Sequence, residues 1–170
     1  MAHPFPLFES IWTPSREIAV TTEVTEALKN GATVAIGVSG GKDSAATAFA
    51  TTDYLNEIGH PGPRLLVHSD LGRVEWRQSL CVCERLAEHL GLALMVVRRN
   101  SGDLLDRWHA RWESNLRRYT ELSCVKLIMP WSTASMRFCT SELKTAVICR
   151  ALVDRFPNQL RDPPALPGRQ

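Results

Sequence analysis

The stretch "GVSGGKDSAATAF", residues 37–49, decides the reading of this chain. It grows out of "ATVAIGV" (32–38), an apolar, β-rich run of the kind buried on both faces of a parallel sheet. It leads into a helix-like run over 44–58, which "GHPGP" (59–63) breaks. Two adjacent glycines, a lysine, an aspartate and a serine therefore occupy a strand-to-helix corner. Gly40 and Gly41 permit positive φ and close approach of the backbone. Amides there and at the start of the next helix can point at an anion, the helix dipole favours negative charge, and Lys42 adds a cation. The expectation is a phosphate or pyrophosphate cradle. The plainer reading is a Gly-Gly turn followed by Ser44 as an N-cap.

Working outward, the pattern alternates. Residues 15–30 read as an amphipathic helix with Val20, Val24 and Ala27 on one stripe and Gly31 as the stop. "RLLVH" (64–68) is a second strand, and residues 75–90 a helix with Trp76, Leu80, Cys83, Ala87 and Leu90 on one face. "LALMVVR" (92–98) is a third strand. Strand, helix, strand, helix, strand implies right-handed crossovers. The fold class predicted is α/β, a doubly wound, mostly parallel sheet with flanking helices. The proline-rich ends divide the chain into an N-terminal tail (1–14), a nucleotide-binding domain (15–156) and a C-terminal tail (157–170).

The bulk numbers agree with one globular domain. The chain has 170 residues, 44% hydrophobic and 22% charged, which suffices for a core. A net charge of +2 does not by itself argue for nucleic acid. No apolar run approaches membrane-spanning length and no signal pattern opens the chain, so a cytoplasmic protein is expected. Five cysteines, Cys81, Cys83, Cys124, Cys139 and Cys149, form no CxxC pair, so neither zinc nor an iron–sulfur cluster is expected in this chain alone. Cys81 and Cys83 should face opposite sides of their helix.

The corner is neither a Walker loop nor a dinucleotide fingerprint. Gly37 and Gly41 are separated by three residues, Lys42 is followed by Asp43, and GxGxxG is absent. "SGGKDS" (39–44) instead resembles the SGGxDS signature of the PP-loop superfamily, which includes ATP pyrophosphatases and adenylylsulfate reductases. "HSDLGRVEW" (68–76) is similar to the D-T-G…E segment of the phosphoadenosine phosphosulfate (PAPS) reductase branch, with Leu71 for threonine. Asp70 would then be a polar or metal-facing group near the nucleotide, with Gly72 a turn and His68 the histidine nearest the site. The plainer reading is Asp70 capping a turn and Glu75 opening a helix.

"RFCTSELK" (137–144) resembles a segment of PAPS reductase-like proteins, including those that insert sulfur into DNA backbones. Thr140 or Ser141 can cap a helix there, so Arg137, Cys139 and Lys144 are expected around one helix start. Two cations suit a sulfate or phosphate and favour a Cys139 thiolate. The plainer reading makes Cys139 a small buried residue and the cations solvated. Between the motifs, Leu105, Trp108, Trp112, Leu116 and Tyr119 form an apolar helix stripe beside Arg107, Arg111 and Arg118. That arginine face is either a channel attracting phosphate or a nucleic-acid strand, or an ordinary solvated face. "LSCVKLIMPW" (122–131) is expected to re-enter the core.

The resemblance spans about residues 15–156. It implies an adenine nucleotide, ATP or adenylylsulfate/PAPS, held by Ser39, Gly40, Gly41, Lys42, Asp43 and Ser44, with Lys144, His68, Asp70 and Gly72 nearby. Lys42, Asp43, Arg137 and Cys139 are the implied catalytic groups, and Mg²⁺ bridging phosphates is compatible. Sulfur-transfer or adenylyl-transfer chemistry follows. The alternative is a catalytically incomplete nucleotide-binding subunit of a DNA-modification or phage-encoded system. The reductase tail motif Glu–Cys–Gly–Leu–His is lacking, and so is the family segment expected after "DRFP" (154–157), which makes the fold look truncated at its C-terminal end. Without that segment's strand the order would be 3-2-1, leaving the first strand an edge that invites a second copy or a partner chain.

Overall fold

The computed structural model of the chain describes residues 18–157, and all that follows concerns these. The expected tails, apart from Pro157, and the first residues of the helix expected over 15–30 lie outside them.

The elements alternate as the pattern predicts. Helix α1 (Thr22–Lys29) precedes β1 (Val34–Val38), α2 (Lys42–Glu57), β2 (Arg64–Asp70), a 3₁₀ turn (Gly72–Val74), α3 (Ser79–Leu90), β3 (Ala93–Arg98) and α4 (Leu104–Thr120). A last helical segment opens with a single α-turn (Phe138–Thr140), widens into a π-turn (Ser141–Thr145) and continues as α5 (Ala146–Arg155).

The three strands form one parallel sheet in the order β1-β2-β3. Val34 pairs with Arg64 through to Val38 with His68, and Leu65 with Ala93 through to Asp70 with Arg98. A parallel sheet needs both faces covered, and two apolar layers do this. Ile36, Val38 and Leu66 pack under Ala48 of α2 and Cys83, Leu86 and Ala87 of α3. On the opposite face Leu65, Val67 and Val97 pack against Val147, Ile148, Ala151 and Leu152 of α5. The architecture is therefore α/β, with helices on both faces of a three-stranded parallel sheet. Among the described residues no helix is long and apolar enough to cross a membrane.

Several local expectations are corrected. Helix α1 buries Leu28, while Val24 stays exposed and Val20, also exposed, precedes the helix, which starts only at Thr22 with Thr21 as its cap. Trp76 does not join the buried stripe of α3: it precedes that helix and is 84% exposed. Leu80 of the same stripe is also exposed and Leu90 only partly buried, whereas Cys83 and Ala87 are buried as expected, with Cys81 on the exposed side as the helical period requires. The segment 122–131 does not re-enter the core. Leu122 is 89% and Val125 97% exposed, and Met129 and Trp131 are half exposed. On α4, Leu104 and Asn115 are the buried residues, whereas Leu116 and Tyr119 remain over 40% exposed.

Candidate functional site

The three motifs meet the carboxyl ends of the strands. In open parallel sheets this end is where ligands bind, since helix N-termini and loops converge there. Val38 ends β1, and Ser39, Gly40 and Gly41 turn the chain into α2. Gly40 takes φ +74°, and a Cβ there would sit 2.8 Å from the Cα and carbonyl oxygen of Ser79. Only glycine lets the loop lie against the start of α3. Gly41, not Ser44, is the N-cap of α2 and offers no side chain to it. Ser44 instead turns back: its hydroxyl donates to the Gly41 carbonyl at 2.9 Å and accepts from the Ser39 amide at 3.2 Å. The first turn of α2 is thus left without a side-chain cap, and its leading amides have no helical acceptor. Lys42 and Asp43 are exposed at that turn, and Lys42 has no ion-pair partner among the described residues.

Cys83 of α3 is fully buried in the apolar layer that also holds Val38 and Ala48. Burial pushes the Cys83 thiol up, and the Gly40 backbone amide only partly offsets it.

Beneath the loop lies a histidine. His68 is 1% exposed, its Nδ1 is 3.0 Å from the Val38 carbonyl and its Nε2 3.5 Å from Glu75 Oε2. A carbonyl can only accept, so Nδ1 carries hydrogen. Cys83 Sγ is 3.7 Å from the same nitrogen. Glu75 in turn accepts the Leu71 amide at 3.1 Å. His68 thus links the end of β1, the turn after β2 and the start of α3.

Asp70 and Gly72 form the next piece. The Gly72 amide donates to Asp70 Oδ1 at 2.7 Å, and Arg98 hydrogen-bonds Oδ2. Burial works against ionisation of Asp70, but the Arg98 guanidinium and the Gly72 amide outweigh it and hold the carboxyl below its ordinary value. Both oxygens are engaged, so the structure shows Asp70 as a clamp on the turn. Gly72, at φ +75°, lies where a Cβ would meet Asp103 Cβ at 2.4 Å. Arg73 then grips the N-terminus of α4 through Asp103 (2.6 and 2.9 Å) and Asp106. Asp103 and Asp106 themselves make a reciprocal capping box.

The "RFCTSELK" segment sits on the other face of the same strand end. The Ser69 hydroxyl donates to the Leu143 carbonyl at 2.7 Å, which seats the π-turn against β2. Helical backbone begins at Phe138, two residues ahead of the expected cap at Thr140 or Ser141. Arg107 and Arg111 lie over the ring of buried Phe138 at 4.8 and 4.9 Å, and Arg107 pairs in two-pronged fashion with Glu142 at 2.7 and 3.0 Å. Arg107 hydrogen-bonding lowers the Glu142 pKa. Two of the three arginines expected on one face are thus packed on the motif, while Arg118 remains exposed. Arg137 is exposed directly before the helix start, Cys139 is half-buried at the second helical position, and Lys144 is exposed within the π-turn.

Two clefts border Trp76, one of them walled by the loop. One of about 460 Å³ is lined by Ser39, Gly40, Gly41, Trp76, Gln78 and Ser79. Another of about 390 Å³ is lined by residues that include His68, Asp70, Glu75, Trp76 and Arg77. The structure thus places Ser39, Gly40 and Gly41 on one cleft and His68, Asp70 and Gly72 on its neighbour, with Trp76 common to both. Arg137, Cys139 and Lys144 line neither. Sequence reasoning missed Trp76, Ser79 and Cys83 as neighbours of the loop, because only tertiary packing brings α3 against it. Among the described residues no group of three or more His, Cys, Asp or Glu side chains is placed to hold a metal ion. No protein-family model, curated protein or solved structure matches this chain.

Proposed function

We propose that the chain is a PP-loop protein of the PAPS reductase type, binding an adenine nucleotide, ATP or a sulfonucleotide, at Ser39–Ser44. The observation that carries this reading is the uncapped N-terminus of α2 beside an open cleft, with unpaired Lys42 at its first position. Free amides, a helix dipole and a cation all favour an oligophosphate there. Ser44 holds the loop closed on itself, so the anion meets a shaped backbone. Asp43, exposed in the same turn, is the carboxylate that would meet a phosphate-bound Mg²⁺, an ion that commonly takes one or two carboxylates and completes its shell with phosphate and water. Arg137 adds positive charge at the RFCTSELK turn, and half-buried Cys139 is the candidate for sulfur transfer.

A second reading, nucleotide binding without turnover, is favoured by Asp70. Its carboxylate is tied to the turn by the Gly72 amide and to β3 by Arg98, a structural role, and Arg137 and Cys139 line neither cleft.

Calorimetry with ATP, adenylylsulfate and PAPS tests the proposal. The intact chain is expected to bind at least one, and Lys42→Ala to weaken it by about tenfold or more, the size of one lost charge-assisted contact. Pyrophosphate or sulfite release separates the two readings. No affinity for any of the three ligands would remove both.

A further inference from the structure

We propose that Trp76 is the base-stacking residue of this site, so that the ligand must carry a planar aromatic ring as well as its phosphates. The inference rests on the loop reading above and names the residue that would hold the ligand's base, which that reading leaves unassigned. Three observations carry it. First, Trp76 is 84% exposed, although a tryptophan is among the side chains most favourably removed from water. Leu80, which lines one of the same clefts, is also 36% exposed. Second, this ring borders both clefts, one walled by the glycine loop and the other by His68, Asp70 and Glu75. A single flat ligand part laid on the indole therefore stays within reach of an anion site on the loop. Each cleft, at about 460 and 390 Å³, has the size of a small-molecule site.

Third, the backbone holds Trp76 in place. Glu75 is fixed by the Leu71 amide and stands 3.5 Å from His68, and the Trp76 carbonyl accepts the Ser79 amide at 3.0 Å. Ser79 is also the residue against which Gly40 packs. The Trp76 backbone and the glycine loop thus share one anchor, the start of α3. An aromatic platform with few torsions loses little entropy on binding, and a base stacked on it gains both apolar burial and ring–ring attraction. The neighbouring Gln78 and Arg77 supply hydrogen-bonding groups at the platform's edge.

The test compares a ligand with a base to one without. ATP and inorganic tripolyphosphate are titrated into the full chain, Trp76→Ala, Trp76→Phe and Lys42→Ala. Trp76→Ala is expected to weaken ATP about tenfold while leaving tripolyphosphate within about twofold, and Trp76→Phe to restore most of the loss. Lys42→Ala is expected to weaken both ligands. The chain has five tryptophans, so the difference in emission between the full chain and Trp76→Phe isolates the residue. That difference is expected to be quenched by ATP and not by tripolyphosphate. Because the side chain is solvent-exposed, neither substitution should move the thermal transition. Equal ATP affinity in Trp76→Ala and the full chain, with tripolyphosphate still bound, overturns this proposal alone. Equal losses for both ligands overturn it as well. If neither ligand binds the full chain, the loop reading and this proposal fall together.

Discussion

Gly40 and Gly37 stand three residues apart and should answer substitution in opposite ways. Gly40 has φ +74° and no room for a Cβ against the Ser79 backbone. Gly40→Ala is expected to cost at least about 1–2 kcal/mol from the left-handed conformation, with more from the displaced α3 start, and to abolish the nucleotide binding proposed above. Gly37 has nothing within 4 Å of where a Cβ would be and no positive φ. Gly37→Ala should be neutral or stabilising by up to about 1 kcal/mol, through a less flexible unfolded chain. Thermal melts of the two variants check this; a Gly40→Ala protein as stable as the parent would show that the loop does not need its contact with α3. Gly40 is also where sequence reading reached furthest. The need for glycine was legible, but its close contact with the Ser79 backbone was not, because no local signal announces a partner 39 positions away.

At the scale of elements, ion pairs and hydrogen bonds fasten the turn after β2 and the π-turn to their neighbours. Arg73 holds Asp103, the cap of α4, and keeps its carboxyl well below the ordinary value of 3.8. A depressed carboxylate pKa means that the pair stabilises fully above about pH 4, and that this contribution is lost as pH falls through the lower folded value. Asp103→Asn, which can still cap the helix, is therefore expected to be less stable than the parent at pH 7, with the gap closing as the solution is acidified below pH 4. Urea midpoints over that range test it, and a gap independent of pH would mean that the cap, not the charge, matters. The sequence located this region as a turn followed by a helix. It did not reveal the Arg73–Asp103 pair, which joins two loops across the strand ends. Nor did it foresee the π-turn, since RFCTSELK reads equally well as a regular helix until Ser69 of β2 takes up the Leu143 carbonyl.

For the whole molecule the open edge is the main consequence. β1 pairs only with β2 among the described residues, and it carries the apolar run of a strand that belongs inside a sheet. Such an edge offers unpaired amides and carbonyls to another chain. Half-exposed Met129 and Trp131, with Leu122 and Val125, add apolar surface elsewhere. Self-association is expected, and light scattering should give a mass above the 19.0 kDa of one chain. A monomer at high concentration with a sharp thermal transition would show that the edge is adequately protected as it stands.

The sequence by itself determined what depends on neighbours along the chain. Strand and helix alternation, the glycine corner and the buried side of α3 at Cys83 and Ala87 all follow from periods of two and 3.6 residues and from backbone sterics. Tertiary structure decided what depends on residues far apart in the chain meeting in space. It left Trp76 in solvent rather than in the core, turned 122–131 outward, packed Arg107 and Arg111 onto Phe138, and committed Asp70 to Arg98. Hydrophobicity favours burial of a residue, but only the shape of the finished core says whether there is a place for it.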